Sequence, residues 1–517
     1  MRANDDVGTA QDDHVNDFEF RVAQLNAMIA AGINPYPESA YLTHSNAAAL
    51  SEPEGTSVTV GGRIMKIREH GNFVFMDIRD DSDTGPLPIA EFGSKKGQLD
   101  YSKRGRLQIV INLQQTQNTE LLQYLGVSDF ISVVGERYQT KKGEQSVLAH
   151  SLTITSKALR QHPDVLEDEN IRYRLRSVDM VTNPEIAEIF RNRATIVKSV
   201  RRTLEDVYNF IEIDTPILQM VYGGANAKPF TTHVNALNEQ AFLSISPELK
   251  LKLAMMGNLE RVYAIARNFR NEGIDRSHNP EFSMTELYHA NWTADDVMAL
   301  LEDVYKRACV AVHGRATFTF QGIEVDLSKP WRRLKMRDGI REYLNLDVDS
   351  MSDEELKQAI SEHGETYTGK WVRGLGIAKL FGAVEKNLLQ PTFVVEYPIE
   401  TTSLCKEDPE HPGWIMRSEP YMCGIEIGNL YSEQNNPLVQ RAAWEAEREY
   451  EDKHPMDEQF LLNMEYGMPN AGGLGFGIDR MVMLLLDQPK LREVIFEPLM
   501  KPLADIAELA PDALPES

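Results

Sequence analysis

Residues 260–290, ERVYAIARNFRNEGIDRSHNPEFSMTELYHA, hold two strand-like runs joined by a loop of Asn, Gly, Asp, Ser and Pro. Two β-rich runs this close, with a turn-forming polar stretch between them, pair as a hairpin with a long polar tip. A hairpin commits this part of the chain to an antiparallel sheet. Arg267, Arg270 and Arg276 fall at or near the tip. On the return strand the two-residue period puts Phe282, Met284, Glu286 and Tyr288 on one face. An aromatic plane, a carboxylate and a phenol facing the same way suit a ligand surface; the pattern equally describes a half-buried strand with incidental polar residues.

A second segment, GGLGFGIDRMVMLLL at 472–486, alternates Gly473, Gly475 and Gly477 along a strand and then enters an apolar helix through Asp479 and Arg480. Alternate glycines clear one face of a strand for close approach of a flat ligand. The spacing is GxGxG and not the GxGxxG dinucleotide fingerprint, so a Rossmann reading has little support. In the third segment, CGIEIGNLYSE at 423–433, alternation puts Asn429, Tyr431 and Glu433 on one side and Glu426 on the other. Glu419 and Glu426 form a donor pair for a hard cation, since Mg²⁺ at a nucleotide takes one or two carboxylates plus phosphate oxygens. For Glu426 to serve the same site as residues 429–433, a bulge near Gly428 must re-aim the strand.

Around these segments the chain reads as an acidic tail (1–17), an N-terminal helical segment (18–57, its helix ending at Gly32), a β-rich domain (58–160), a polar linker (161–175), a larger unit (176–503) and a C-terminal tail (504–517). The β-rich stretch holds five short strand patterns, VTVGGRIMKI, NFVFMDIRDD, LQIVINL, FISVVGERY and SVLAHSLTIT. Five strands in about a hundred residues predict a small barrel of the OB type. In the larger unit Asn183 caps a helix with Pro184 at its first position, followed by the alternating strand IEIDTPILQ and irregularly ordered strands and helices. That order predicts an α+β domain on an antiparallel sheet.

The formal charge of −24 over 517 residues argues against a chain that coats nucleic acid through bulk positive charge. The charge is unevenly placed. Residues 58–160 carry fourteen Lys and Arg against eleven Asp and Glu, so the β-rich domain is mildly basic and the acidity lies elsewhere. Cys309, Cys405 and Cys423 have no CxxC spacing, which predicts neither a disulfide framework nor a zinc site and makes the cytoplasm the default compartment. No apolar run approaches the ~18 residues of a membrane span. The N-terminus MRANDDVGTAQDDHVND lacks the apolar core of a signal peptide.

The joint occurrence of these segments in this order resembles the three signature motifs of the class II aminoacyl-tRNA synthetases. The wording of YGGANAKPF (222–230), RNFRNEGIDRSHNPEFSMTELY (267–288), EIGNLYSE (426–433) and GIDRMVML (478–485) is similar to the lysyl-tRNA synthetases of that class, over roughly residues 18–503. The resemblance implies an OB-fold anticodon-binding barrel followed by a class II catalytic domain. It implies activation of L-lysine with ATP to lysyl-adenylate and pyrophosphate, then transfer to the 3′ end of tRNA(Lys). It also implies Mg²⁺ as cofactor and a homodimer, with no membrane partner. An aspartyl- or asparaginyl-type synthetase is the nearest alternative; a paralogue that lysylates a protein, or an RNA-binding module, stands further off.

Carried over residue by residue, the resemblance makes Arg270 the catalytic arginine at the α-phosphate and the amino acid carboxylate. Glu272, His278, Asn279, Phe282, Glu419, Glu426 and Arg480 would join it in the ATP site, with Phe282 and Arg480 on opposite faces of adenine and Glu419 and Glu426 as magnesium ligands. Gly224, Glu248, Arg270, Glu286, Tyr288, Asn429, Tyr431 and Glu433 would form the lysine site, with Glu433 and Tyr288 at the ε-ammonium and Glu248 nearer the α-amino group. Arg63, Phe73 and Glu144 would face the anticodon. Three positions depart from the family: Pro88 stands where a base-reading glutamine is usual, Lys250 replaces a common tyrosine, and 404–422 is unlike the usual intervening loop.

Overall fold

The computed structural model describes residues 10–83, 99–448 and 455–503, residues 10–16 in backbone only. Pro88, the first nine residues and the 504–517 tail lie outside the described residues. The chain divides into two compact units, Met1–Ala187 with Met500–Ser517, and Glu188–Leu499.

In the first unit, helix α1 (Ala10–Ala30) starts earlier than the apolar spacing suggests and ends just before Gly32, whose φ of +76° suits a residue without a Cβ. Strands β1 (Ser57–His70), β2 (Phe73–Arg79), β3 (Arg106–Asn112), β4 (Phe130–Gln139) and β5 (Gln145–Ser156) form a closed barrel in the order β1-β2-β3-β5-β4. β3 and β5 pair in parallel, and the other pairs are antiparallel. All five predicted strands are present, and the order is that of an OB-fold. Alternate apolar residues, among them Val58, Val60, Val74, Met76, Ile78, Ile109, Ile111, Val133 and Ile154, fill the interior.

The second unit is built on a nine-stranded sheet. Helix α2 (Pro184–Arg202) buries Ile189, Ile196 and Val200 along one face, as its spacing predicts. IEIDTPILQ forms only the two-residue strand β6 (Ile211–Glu212) and the separate pair Leu218–Gln219. After helix α3 (Glu248–Met256) come the hairpin strands β7 (Arg261–Phe269) and β8 (Glu281–Ala290), which pair from Arg261↔His289 to Phe269↔Glu281. Helix α4 (Ala294–His313) opens with a Thr293–Asp296 capping box. The remaining strands of this sheet are β9 (Arg332–Lys335), β10 (Thr392–Pro398), β11 (Trp414–Met422), β12 (Ile425–Glu426), β13 (Gly428–Ser432) and β14 (Ala471–Gly477), which leads into helix α5 (Ile478–Leu485).

The sheet order is β9-β10-β11-β13-β14-β8-β7-β6, with β12 also paired to β11. Only the β6–β7 and β9–β10 pairs are parallel. The glycine strand β14 therefore lies between the return strand of the hairpin and β13, so the three segments singled out in the sequence are neighbours in space.

Candidate active site

A cavity of about 360 Å³ opens on this sheet, and a second of about 180 Å³ shares Arg270, Met284, Glu426, Asn429 and Gly475 with it. Gly224, Glu248, Glu286, Tyr288, Glu419, Tyr431 and Glu433 line the larger cavity; Glu272, His278, Asn279, Phe282 and Arg480 line the smaller. Every residue expected in the ATP and lysine sites thus lines one cavity or both. The predicted face of β8 holds, since Phe282, Met284, Glu286 and Tyr288 all reach these cavities.

The strand of glycines is a floor for both. Gly473 pairs with Tyr288 on one side and Tyr431 on the other, and Gly475 with Glu286 and Asn429. A Cβ on Gly473 would overlap Glu433 Oε1 and the Tyr288 ring, while one on Gly475 would sit 3.1 Å from Met284 Cε. The expected bulge is also present. β12 pairs Tyr421↔Glu426, whereas β13 pairs Ser418↔Leu430, leaving three residues of one strand opposite two of the other. The extra residue falls between them, where Ile427 donates its N–H to Pro420 O at 2.9 Å. Glu426 is thereby brought to the cavity that Asn429, Tyr431 and Glu433 line.

Three carboxylates are buried at the closed end of the larger cavity: Glu248, Glu286 and Glu433. Glu286 accepts from Ser246 Oγ at 2.8 Å and from the Tyr288 hydroxyl at 3.1 Å. Burial, reinforced by Glu248, pushes its carboxyl up to about 8. Glu433 is pulled both ways: burial pushes its carboxyl up, with Glu248 adding to the push, and the Lys252 ammonium 2.5 Å away opposes it. The net direction is upward. Gly224, at φ +84°, lets the 222–230 loop pass close above this end, where a Cβ would lie 2.9 Å from Glu248 Cβ.

At the other end Arg270 stands 5.1 Å over the Phe282 ring and donates Nε–H to Ile245 O at 3.4 Å. Burial disfavours its charge, and Glu286, Glu426 and Glu272 offset that. Arg480 donates to Glu426 O at 2.5 Å, lies 3.3 Å from Glu426 Oε2 and meets His278 Nε2 at 3.2 Å. Glu419 accepts from the Tyr397 and Tyr421 hydroxyls at 2.7 and 2.9 Å and pairs with Arg417. Burial and the like charges of Glu419 and Glu426 push the nearby Glu385 carboxyl up to about 7. Glu419 and Glu426, each paired with an arginine, offer the hard oxygen donors that a divalent cation takes.

Several positioning residues had no distinctive sequence signal. Asp479 anchors β8 by accepting from the Ser283 N–H at 2.7 Å, and Arg193 holds Asp479 at 2.6 Å and donates to Ser283 Oγ at 3.2 Å. Arg417 donates to Asn429 Oδ1 at 3.0 Å, and Asn429 in turn donates to the Tyr431 hydroxyl at 2.5 Å. Lys252 is fully enclosed between Glu248 and Glu433. The departure at Lys250 lies on the same helix, α3, and 404–422 supplies Arg417 and Glu419 through β11.

On the barrel, Phe73 begins β2 and is 39% exposed. Glu144 is exposed in the β4–β5 turn. Arg63 turns inward, its guanidinium 4.3 Å over the Phe130 ring and 3.4 Å from Ser128 O.

Residues 168–501 match the family model described as tRNA synthetases class II (D, K and N). Among curated relatives, a lysine–tRNA ligase of Moorella thermoacetica is 38% identical over 93% of this chain and 97% of its own. One of Chloroflexus aurantiacus is 37% identical over 94% and 98%. One of Thermoanaerobacter pseudethanolicus is 36% identical over 97% and 99%. With its three motif segments on one sheet, an OB-type barrel and near full-length similarity to these proteins, the chain belongs to the class II tRNA synthetases and, within them, to the lysine–tRNA ligase family.

Proposed function

We propose that the protein joins L-lysine to tRNA(Lys) in two steps, through a lysyl-adenylate formed from ATP. The observation that supports this most is the burial of Glu248, Glu286 and Glu433 around one cavity next to Arg270. An amino acid with two ammonium groups and one carboxylate is the complement of that set, because a desolvated ammonium needs carboxylate partners. A pocket for aspartate or asparagine would want cationic or amide groups where the glutamates stand. ATP–pyrophosphate exchange across a panel of amino acids tests the reading: exchange with lysine alone supports it, and silence with lysine overturns it.

In this reading the lysine carboxylate attacks the α-phosphate in line, and the protein supplies position and charge rather than a nucleophile. Arg270 holds both reacting groups, a planar task for which a guanidinium fork suits. Phe282 and Arg480 enclose adenine, Glu272 reads its exocyclic amine, and His278 meets the outer phosphates with Asn279 beside it. Glu433 and Tyr288 receive the ε-ammonium, Glu248 and Glu286 the α-ammonium side, and Asn429, Tyr431 and Gly224 complete the wall. Glu419 and Glu426 would hold Mg²⁺, which neutralises phosphate charge when bound.

The carboxyl shifts set a pH dependence. Lysine's ammonium is received by ionised Glu286 and Glu433, and a carboxyl raised to about 8 is ionised only above that value. The KM for lysine is therefore expected to fall as pH rises from 6.5 to 8.5, by about tenfold per pH unit per titrating group on the acid side. The KM for ATP should move far less. Exchange kinetics at several pH values check both; a lysine KM flat across that range would refute the assignment.

For the barrel, the exposed Phe73 ring would stack on an anticodon base, an interaction worth ~1–3 kcal/mol. Phe73→Ala is expected to weaken tRNA charging by about tenfold or more while leaving lysine activation unchanged. Equal loss of both would make Phe73 a packing residue. A homodimer is part of the same reading. Val207, Ile211, Ile217, Leu218 and Met220 are each 45–56% exposed around the edge strand β6, an apolar border that a second subunit would cover. Sedimentation at micromolar concentration should give twice the chain mass, and a monomer would count against it. Among the described residues no helix is long and apolar enough to cross a membrane.

A further inference from the structure

Lys252 lies one helical turn beyond Glu248 on α3, at a spacing that ordinarily makes a solvated surface pair. Here the pair is buried. Lys252 is 1% exposed, Glu248 4% and Glu433 0%. The ammonium lies 2.6 Å from Glu248 Oε1 and 2.5 Å from Glu433 Oε2, and 5.6 Å from the centre of the Tyr288 ring. It therefore bridges the carboxylate assigned to the α-ammonium side and the one assigned to the ε-ammonium. Arg270 is matched by the substrate carboxylate. Three glutamates and Lys252 then leave a charge of −2, which the two ammonium groups of lysine cancel. Without Lys252 the pocket would carry one charge too many.

We propose that Lys252 is a positioning and specificity-determining residue for lysine activation, fixing the Glu248 and Glu433 carboxylates at the two poles of the pocket and setting its charge to that of one lysine. The inference rests on the function proposed above and deepens it. The groups facing the bridge are Glu248 on the same helix, Glu286 and Tyr288 on β8, Tyr431 and Glu433 on and just beyond β13, and Cys405 and Lys406 on the strand crossing beside Glu433. Burial alone would discharge Lys252, but Glu248 and Glu433 outweigh it and hold the amine above the ordinary lysine range. The ammonium stays charged at neutral pH and touches a carboxylate on either side, at 2.6 and 2.5 Å. Its loss would leave Lys406 as the remaining cation that opposes the upward push of burial on Glu433.

The test compares K252M and K252R with the native protein in ATP–pyrophosphate exchange from pH 6.5 to 9. K252M should raise the lysine KM at pH 7 by about tenfold and move the acid limb of its pH profile about one unit upward, which corresponds to the Glu433 carboxyl losing its paired ammonium. Its kcat at saturating lysine and its KM for ATP should stay within a few-fold of native, and K252R should restore the acid limb. A K252M profile that overlays the native one, or a loss shared equally between lysine and ATP, would overturn the proposal.

A calorimetric measurement on the native protein does not depend on K252M folding. Lysine titrated at pH 7 into two buffers of different ionisation enthalpy should release protons from the raised Glu286 and Glu433 carboxyls as the pocket takes on the charge that matches lysine; no release would overturn that charge match. Native exchange that fails with lysine sinks the proposed function, whereas native exchange with an unaltered K252M sinks only this inference.

Discussion

Arg270→Ala is expected to abolish lysyl-adenylate formation, lowering pyrophosphate exchange by a factor of about 10³ or more. The size follows from what surrounds the guanidinium. Glu272, Glu286 and Glu426 all act on Arg270, and its Nε–H is fixed on Ile245 O. With the cation gone, a lysine carboxylate and a triphosphate would have to approach one another beside Glu272, Glu286 and Glu426 with that opposing charge removed. Removing one partner of a buried charge set costs about 2–5 kcal/mol, and a preorganised donor to developing phosphate charge is worth a similar amount. Arg270→Lys should recover little, since an ammonium presents a point charge where a fork must reach two groups at once. Lysine exchange within tenfold of native in the alanine variant would refute the role.

The second large effect is expected where no side chain exists. Gly473→Ala should lower kcat/KM for lysine by about tenfold to a hundredfold, with the ATP KM within twofold of native. A methyl group at residue 473 would meet the Glu433 carboxylate and the Tyr288 ring, both fully packed and neither able to swing away. Overpacking of this kind costs about 1–3 kcal/mol. Gly475→Ala is the control, because its methyl would press only on the flexible end of Met284 and the Glu286 stem, at 3.1 and 3.2 Å. Its penalty should be clearly smaller. Steady-state exchange with lysine and ATP varied separately checks the pair, and equal effects of the two substitutions would show that the floor is not shaped for the amino acid.

How far the sequence reveals this site depends on how local each signal is. The period-two face of β8 and the alternating glycines of β14 are written within ten residues each, and both survive into the cavity walls. The bulge was implied by a conflict of parity between Glu426 and Glu433, which only an extra residue could resolve. β11 was obscured because Pro420 and the charges around it look unlike a central strand. Its Pro420 carbonyl instead receives the Ile427 N–H at the bulge, so the proline sits where the ladder is already interrupted. Arg417, Tyr397 and Tyr421 went unnoticed with it. Lys252 was hidden for another reason: Glu248 and Lys252 have the spacing of an exposed helix pair, and only the fold reveals their burial. The Arg193–Asp479–Ser283 link joins α2, α5 and β8, residues too distant in sequence for any periodicity to connect.

The extra residue within 427–429 acts as a phase change in the strand. Ahead of it, Glu426 follows one register against β11; beyond it, Leu430 and Tyr431 follow another. In the proposed function one short peptide would therefore serve two chemical tasks, the phosphate end and the amino acid end, with the aim of each half set separately. Substitutions in 429–433 can retune which side chain is received while the carboxylate at 426 stays in place. Deleting the single residue Gly428 would do the reverse, leaving every functional side chain in place in the sequence yet turning one of the two sets away from the cavity.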